Sequence, residues 1–450
     1  MKEGMLTSSR TPAAEQSWIE RRFRLKENQT TVRTEIIAGI TTFMTMAYIL
    51  FVNPSILSET GMPFDAVMMA TASSAILATL LMAFLANYPF ALAPGMGLNA
   101  YFAYSVVFGL GYSWQTALGA VFISGIVFVL LSLSGIREMI IDAVPATLKS
   151  AIGAGIGLFI AFIGLQNGGL VQSDPATIIG IGNLGEPAVF LAAVGILITG
   201  ILLARRVNGA ILWGILITTI LGIPLGVTAM PDGFLKMPSF STWAPIFGKL
   251  DIGGALGIGI LEVIFAFLFV DLFDTIGTLI GVSQQAGFLD KEGRLPRANK
   301  ALLADAFGTV AGAIFGTSTV TTYVESASGV AVGGRTGFAN LITAGCFLLS
   351  MFFLPIIAIV PSAATAPALI VVGAMMIRAV LDISWSEMDE ALPAFIAMIA
   401  MPFTYSIATG IALGFIVYPV VKVLNGKAKE VHAITYILAV LFVLRFIYLG

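Results

Sequence analysis

Long apolar runs, separated by short polar segments, dominate this chain of 450 residues. Hydrophobic residues make up 58% of it and charged residues only 11%, whereas a soluble domain carries about 25% charged residues. A helix needs about 20 consecutive apolar residues to cross the hydrocarbon core of a bilayer, and many of the runs reach that length. The sequence therefore predicts an all-α polytopic membrane protein.

The runs predict 14 membrane segments. The clear ones are 35–56, 64–86, 115–134, 149–168, 186–205, 209–227, 255–282, 338–360, 364–382 and 406–424. Two others, 300–315 and 391–405, are apolar but shorter, and 91–110 and 317–335 are crowded with Gly, Pro, Ser and Thr. A further apolar stretch, 432–449, is interpreted either as an additional span or as a helix at the membrane interface.

Basic residues indicate the orientation of these segments, because cytoplasmic loops are enriched in Lys and Arg. The N-terminal stretch 1–34, Arg137 and the loop DKEGRLPRANK (290–300) carry positive charge, whereas the loop 169–185 carries none. This distribution places the N-terminus in the cytoplasm. Apolar and basic residues alternate near Trp18, which favours equally a short helix on the membrane surface and an ordered cytoplasmic tail.

Composition argues against several other classes of protein. The net charge of −2 gives no indication of nucleic-acid binding. Cys346 is the single cysteine, so neither a disulfide framework nor a cysteine metal site is expected. His432 is the single histidine and no HExxH motif is present, which argues against an intramembrane protease. We expect no enzymatic activity, no metal and no cofactor.

A weak internal repeat relates the two halves of the chain. The segment AVPATLKSAIGAGIGLFIA (143–161) is similar to IVPSAATAPALIVVGAMMI (359–377), and each opens the fifth span of its half. Seven is an odd number, so two tandem halves of seven spans insert with opposite orientation. Such a 7+7 inverted repeat is typical of secondary transporters, which bind their substrate near the membrane midplane.

The third span of each half is predicted to be broken. Pro94 and Gly95 interrupt the first of them, and β-branched residues before Tyr323 favour an extended stretch in the second. Each is expected to form a short strand followed by a half-helix, starting near Gly95–Met96 and near Tyr323; a kink in an ordinary helix is the alternative. Non-helical backbone survives at membrane depth only inside protein or beside a cavity, so the two strands are expected to pair.

Acidic residues inside membrane segments are costly, at ~2.5–3.5 kcal/mol or more, and are functional candidates for that reason. The set comprises Glu262, Asp271, Asp274, Asp305 and Glu325. Glu262 is interpreted as a polar contact towards a pore or another helix. Asp305, at the opening of the ninth span, is interpreted as part of a structural pair or as an N-terminal helix acid. Asp271, Asp274 and Thr278 share one face of the eighth span.

Glu325 on the tenth span and one acid of the eighth span are left as a candidate pair. Two carboxylates in one dry cavity do not both ionise easily, so one is expected to hold a proton at neutral pH. A carboxylate accepts N–H hydrogen bonds, and a protonated one also donates. The arrangement suits proton-coupled binding of a polar neutral molecule.

These segments resemble a known family of transporters. ADAFGTVAGAIFGTSTVTTYVES is similar to the ninth-to-tenth span signature of the nucleobase/ascorbate transporters, also called nucleobase–cation symporter 2 or xanthine/uracil permeases. TTFMTMAYILFVNPSIL, ALAPGMGLNAYF, DLFDTIGTLIGV and ESASGVAVGGRTG resemble the AzgA-like branch, which carries adenine, guanine and hypoxanthine. The resemblance extends from about Thr31 to Lys422.

The resemblance implies import of purine bases by proton symport, in a cell or inner membrane and usually as a homodimer through the gate domain. The implied core domain comprises 35–134 and 255–360, and the gate domain 135–254 and 361–424. The remaining parts are the tail 1–34 and the C-terminal segment 425–450.

Site residues follow from the same resemblance. Glu325 matches the substrate carboxylate of the tenth span and Asp274 that of the eighth, which also carries or tunes the coupling proton. Asn99 matches the polar residue of the third span, and Tyr323 an aromatic site position. Val324 and Ser326 stand where the wider family usually has Gly and Asn, so Ser326 is kept as a candidate.

Two more residues complete the candidate site. Thr278 is expected to form a hydrogen bond with a polar group of the substrate that the carboxylates leave unpaired. Phe43, like Tyr323, is expected either to stack on a planar base or to pack as an ordinary aromatic.

Other functions remain open at this point. Selectivity for xanthine or uracil within the family is the main alternative. An anion transporter of the same architecture is disfavoured because Arg335, the nearest base to Glu325, is about 15 Å away along a helix. A channel is disfavoured because the acids form no ring.

The charge distribution predicts that Gln284 lies on the cytoplasmic side and Gly233 on the external side. With Cys346→Ser as the background, we expect an impermeant thiol reagent to label Gly233→Cys but not Gln284→Cys in whole cells. Labelling in the opposite pattern would reverse the topology.

Overall fold

The computed structural model describes residues 18–134, 144–231, 233–257, 261–290 and 294–448. Arg137 and part of the basic loop 290–300, which were used to predict the orientation, lie outside the described residues. The described chain is mostly helical. Nine of its helical segments are long and apolar enough to cross a membrane: Val32–Ser58, Phe64–Leu85, Trp114–Leu133, Ala146–Asn167, Pro187–Ala204, Val263–Ala286, Gly337–Ala358, Ser362–Asp382 and Ile407–Leu424.

The elements of the first half are given in chain order. They are α1 (Trp18–Phe23), α2 (Val32–Met46), α3 (Ile49–Ser58), α4 (Phe64–Leu85), β1 (Leu92–Pro94), α5 (Met96–Ala100), a π-helical segment (Tyr101–Gly109), α6 (Trp114–Ser134), α7 (Ala146–Asn167), β2 (Val171–Asp174), β3 (Ile178–Ile181), α8 (Pro187–Ala204), α9 (Ala210–Gly222) and α10 (Phe240–Trp243).

The elements of the second half are also given in chain order. Its elements are α11 (Leu261–Ala286), α12 (Ala298–Phe315), β4 (Val320–Thr322), α13 (Ser326–Ala331), α14 (Gly337–Ser350), α15 (Leu354–Ala358), α16 (Ser362–Met376), α17 (Met388–Phe403), α18 (Ile407–Leu424) and α19 (Ala433–Tyr448). Short 3₁₀ turns cover Gly254–Leu256, Met351–Phe353, Ile377–Asp382 and Ala428–Glu430.

The expectation of an all-α chain was too strict. The strands predicted in the two broken spans are present and pair with each other, β1 antiparallel to β4. A second antiparallel pair, β2 with β3, forms a hairpin in the loop that joins α7 to α8 and was not predicted. The predicted span 209–227 is also shorter than expected, since α9 ends at Gly222 and is followed by turns.

The long helices pack in two groups. The first helix group comprises α2 to α6 and α11 to α14, in which α14 packs on α2 and α4, and α12 packs on α4 and α6. The second helix group comprises α7 to α9 and α16 to α18, in which α7 packs on α16 and α17. The broken spans and the predicted acids all belong to the first group.

The short N-terminal helix α1 is docked against protein. Phe23 is fully buried beside Ala83 and Phe338, and its carbonyl accepts a hydrogen bond from Asn87 Nδ2 at 3.0 Å. Trp18 is 54% exposed. The start of the described chain is therefore held in place by contacts with α4 and α14.

The C-terminal helix α19 packs along α18, where Phe442 lies 6.0 Å from Phe415 between ring centroids. Ion pairs hold the connecting segment: Lys422 Nζ lies 2.6 Å from Glu390 and 3.1 Å from Glu430. The Lys427 ammonium beside Asp389 holds the pKa of that carboxyl well below its usual range.

A buried carboxylate from α2 organises the start of α14. Glu35 accepts hydrogen bonds from the backbone N–H groups of Arg335 at 2.8 Å, Thr336 at 3.3 Å and Ala339 at 3.1 Å. The Thr336 hydroxyl also donates to it at 2.8 Å. Because the first N–H groups of a helix have no partner within the helix, Glu35 satisfies donors that burial would otherwise leave unpaired.

We expect Glu35→Ala to destabilise the first helix group by about 2–4 kcal/mol, because buried donors then lose their acceptor. The unfolding temperature of the purified protein in detergent measures this. Glu27→Ala is the matched control, since that side chain is 67% exposed beside Arg24. Equal shifts for the two variants would contradict the structural role of Glu35.

Candidate functional site

The two broken spans cross as a short antiparallel ladder. Ala93 is paired with Thr321 at the centre of β1 and β4, and the ladder is extended by bonds from Gly95 N to Thr319 O at 2.9 Å and from Tyr323 N to Ala91 O at 3.0 Å. A side chain at Gly95 would lie 2.9 Å from Thr321 Oγ1, so this close crossing requires glycine. The pairing satisfies backbone that would otherwise be costly at membrane depth.

A half-helix leaves each strand. The first, α5, begins at Met96 as predicted, and the second, α13, begins at Ser326 rather than near Tyr323. The residues between Tyr323 and Ser326 form turns with bonds from Ser326 N to Tyr323 O and from Ala327 N to Val324 O. Glu325 therefore stands directly before the first turn of α13.

One cavity of about 90 Å³ lies where these elements meet the turn between α2 and α3, helix α11 and helix α16. Its lining residues are Tyr48, Gly95, Met96, Gly97, Asp274, Thr278, Thr321, Thr322, Tyr323, Val324, Glu325, Val372 and Met376. All of them lie in the described part of the chain, and none is Lys or Arg. The cavity thus combines two carboxylates with hydroxyl groups and apolar side chains.

Neutral hydroxyls hold the carboxylates in position. Tyr48 Oη donates to Glu325 Oε1 at 2.6 Å, and Thr45 Oγ1 donates to the Glu325 carbonyl at 3.3 Å. The Thr321 side chain is a hydrogen-bonding neighbour of Asp274. Such contacts orient a carboxylate without neutralising it, so its remaining lone pairs stay available to a ligand.

Tyr323 is fixed against the first broken span. Its hydroxyl donates to the Pro94 carbonyl at 2.5 Å, and its ring lies 6.5 Å from the Tyr48 ring, tilted by 41°. This contact gives the Pro94 carbonyl a hydrogen-bond donor. The two tyrosine rings form an aromatic wall beside Glu325.

The structure brings four of the predicted site residues together in the cavity: Glu325, Asp274, Tyr323 and Thr278. Asn99, Ser326 and Phe43 do not line it. Asn99 accepts a hydrogen bond from the Ser318 hydroxyl, and the Ser326 hydroxyl accepts one from Ala91 N at 2.9 Å. Both link the two broken spans to each other.

Phe43 packs elsewhere, edge-to-face against Phe347 with a centroid distance of 5.1 Å. Of the two roles foreseen for it, packing is the one that its position in the structure matches.

Sequence reasoning missed Tyr48, Thr321, Val372 and Met376 as lining residues. Tyr48 lies between α2 and α3, at a break in the first span that no Pro or Gly marks. Val372 and Met376 come from α16 of the second helix group and carry no polar signal. Only the quoted motif TTFMTMAYILFVNPSIL, which contains Tyr48, pointed towards this region.

Two other intramembrane acids, Asp271 and Asp305, do not line the cavity. Asp271 accepts from Thr309 Oγ1 at 3.3 Å and is fully buried. Asp305 accepts a hydrogen bond from Thr275 Oγ1 at 3.0 Å. It lies about two turns inside α12, whereas the sequence predicted it at the opening of the ninth span. The Glu262 side chain lies outside what the structure describes. Within the described residues, no cluster of His, Cys, Asp and Glu could hold a metal ion.

Comparison with known proteins decides the family. The model of the xanthine/uracil permeases, described as a permease family, matches residues 33–413. This chain belongs to that family. The resemblance drawn from the motifs is thereby confirmed, and the protein is a membrane permease and not an enzyme.

Curated relatives cover nearly the whole chain. A putative permease of Methanocaldococcus jannaschii is 55% identical over 96% of this chain and 99% of its own length. The guanine/hypoxanthine permease PbuG of Bacillus subtilis is 51% identical over 95% and 99%, respectively. The adenine permease AdeP of Escherichia coli is 43% identical over 98% of both chains.

Solved structures share the fold at low sequence identity. The transmembrane domain of the cyanobacterial bicarbonate transporter BicA matches with a TM-score of 0.64 and 16% identity, over 85% of this chain and 97% of that chain. The murine anion transporter Slc26a9 in its inward-facing state matches with a TM-score of 0.62 and 10% identity, over 93% and 74%.

Proposed function

We propose that this permease imports purine nucleobases, namely adenine, guanine, hypoxanthine or a combination of them, by proton symport. The observation that carries the proposal is the pair of carboxylates, Glu325 and Asp274, in one cavity that no basic residue lines. Relatives named for guanine, hypoxanthine and adenine transport support the substrate class.

In the proposed binding mode, Glu325 accepts hydrogen bonds from the N–H edge of a planar base. Tyr48 keeps that carboxylate oriented, and the start of α13 contributes a favourable partial positive charge. Asp274 takes a second edge contact or exchanges the coupling proton, with Thr278 one turn further along α11. Tyr323 supplies an aromatic face for the ring.

The proposed transport cycle moves a core domain (35–134 and 255–360) against a gate domain (135–254 and 361–424). The packing of the described helices in two groups supports this division. We further propose 14 membrane segments in a 7+7 inverted repeat, for which the crossing of β1 and β4 at corresponding positions of the two halves is the support.

The remaining parts of the proposal concern assembly and location. The permease resides in the cell or inner membrane with its N-terminus in the cytoplasm, and two copies associate through the gate domain. Selectivity for xanthine or uracil is the alternative within the family. An anionic substrate is disfavoured because it would meet two carboxylates in a cavity that no Lys or Arg lines.

We expect Glu325→Gln to abolish uptake of labelled hypoxanthine while the protein still reaches the membrane. The amide keeps the size but loses the charged acceptor, which costs about 1.5–3 kcal/mol, or roughly a 10- to 150-fold loss. Uptake into cells that lack other nucleobase transporters, corrected for protein in the membrane, measures the effect.

Two controls accompany this measurement. Glu27→Gln changes an exposed carboxylate and should transport normally. In the wild type, excess unlabelled adenine, guanine and hypoxanthine should compete with the label, whereas uracil should not. Normal uptake by Glu325→Gln would remove Glu325 from the site, and competition by uracil alone would move the substrate class to pyrimidines.

We expect the two acids of α11 to differ. Asp274→Asn should lose accumulation against a gradient but keep counterflow exchange, because its carboxyl lines the cavity; Asp271→Asn should retain accumulation because that residue bonds Thr309 behind the cavity. Wild-type uptake should rise as external pH falls and collapse with a protonophore. Proteoliposomes allow both assays.

The opposite ranking of the two variants would exchange the roles of Asp274 and Asp271. Uptake that responds neither to pH nor to the protonophore would exclude proton symport.

A further inference from the structure

A polar cluster joins the two helix groups at one end of the molecule. Asn167, the last residue of α7, donates from Nδ2 to Glu59 Oε1 at 3.2 Å and to Tyr104 Oη at 2.9 Å. Tyr104 in turn donates to the same Glu59 oxygen at 3.0 Å. Glu59 directly follows α3, and Tyr104 lies in the π-helical segment after α5, so Asn167 bonds the first helix group from the second.

Tyr405 makes a second connection beside the first. Ser105 Oγ donates to the Tyr405 carbonyl at 3.1 Å, across the two groups. The Tyr405 hydroxyl donates to Gln166 Oε1 at 2.6 Å within the second group. Its ring stands edge-on to the rings of Tyr104 at 5.9 Å and Phe159 at 5.5 Å. We call Glu59, Tyr104, Ser105, Gln166, Asn167 and Tyr405 the outer cluster.

The two groups also touch between the outer cluster and the cavity. Gly97 lines the cavity, and a Cβ at this position would lie only 2.6 Å from Ile156 Cγ2 of α7. Tyr104 is seven residues further along the same broken span, about two turns away from the cavity. Two successive layers of contact therefore close the cavity in this direction.

In the other direction the cavity is open. Asp274, Thr278 and Gly281 share one face of α11, and a Cβ built at Gly281 or at Gly277 would meet no described atom within 4 Å. Val324 lines the cavity and is nevertheless 52% exposed. Access to the proposed substrate carboxylates is thus one-sided.

We propose that the outer cluster is the external closure of the transport pathway, with Asn167 and Ser105 as the groups that hold the two domains together when the site faces the cytoplasm. The inference rests on the proposed function, because it requires movement of a core against a gate domain. Opening to the outside must then break the bonds from Asn167 to Glu59 and Tyr104 and from Ser105 to Tyr405.

Cysteine accessibility tests this closure without any transport assay. Val324→Cys in a Cys346→Ser background reports external access, measured as the labelling rate by an impermeant thiol reagent on whole cells. We expect slow labelling with the outer cluster intact. The labelling rate should rise roughly fivefold or more in Asn167→Ala and in Tyr104→Phe, because each variant loses a hydrogen bond between Asn167 and the first helix group. Glu59→Gln keeps an acceptor oxygen and should change the rate less than Glu59→Ala.

Two measurements separate closure from general loss of structure. Tyr436→Phe is the matched control, because that hydroxyl bonds Ala428 O at 3.0 Å near the C-terminus, and the rate should not change. Gly281→Cys, labelled in inverted vesicles, should react more slowly in Asn167→Ala, because a shift towards the outward-open state closes the inner side. Unfolding would instead raise both rates.

Unchanged external labelling in both Asn167→Ala and Tyr104→Phe would overturn the proposal, as would an equal rise in Tyr436→Phe. Loss of the purine assignment alone leaves these labelling results untouched. Conversely, normal purine uptake with unchanged labelling would remove the external closure and keep the proposed substrate.

Discussion

Backbone polar groups at membrane depth have to be satisfied by the protein itself, and the pairing of β1 with β4 meets this requirement for the two broken spans. The ladder is only three residues long on each side. It is extended by Gly95 and Tyr323 and reinforced by side chains, because Ser326 accepts from Ala91 and Thr309 donates to the Val320 carbonyl. The crossing brings Gly95, Met96 and Gly97 of one broken span close to Tyr323 and Glu325 of the other, and all five residues line the cavity.

The carboxylates of the site are surrounded by a particular kind of neighbour. Hydroxyl groups of Tyr48 and Thr321 orient Glu325 and Asp274, and no basic side chain lines the cavity. A Lys or Arg there would form a buried ion pair and occupy the acceptor oxygens. Neutral donors leave each carboxylate able to bind a proton or to accept a hydrogen bond from a ligand N–H, as the proposed proton-coupled transport requires.

Rigidity around the site comes from buried polar side chains that satisfy irregular backbone. Asn340 of α14 donates from Nδ2 to the carbonyls of Tyr88 at 3.1 Å and Phe90 at 2.7 Å, just before β1. At the start of α14, Asn87 Oδ1 accepts a hydrogen bond from Gly337 N at 2.9 Å. Glu35 accepts one from Arg335 N, two residues earlier. The first helix group is therefore tied at the points where its helices are interrupted, whereas the outer cluster joins it to the second group with fewer bonds.

The sequence alone determined the membrane class, the positions of most long helices and the two broken spans. Its motifs also pointed to four residues that line the cavity, namely Glu325, Asp274, Tyr323 and Thr278. These features have local signals in the sequence. The length of an apolar run predicts a span, Pro94 predicts a break in one, and an acid inside a span indicates a functional residue. The hairpin of β2 and β3, the later start of α13 and the true surroundings of Asp305 were not predicted, because they depend on backbone pairing and burial.

Only the tertiary structure decided which side chains complete the site. Tyr48 and Met376 line the cavity, whereas Phe43, Asn99 and Ser326 do not. Residues 277 positions apart along the chain, such as Tyr48 and Glu325, meet there. No local pattern marks such contacts, since apolar residues at the cavity look like any other membrane-buried residue. Only the packing of one span against another determines which of them face the cavity.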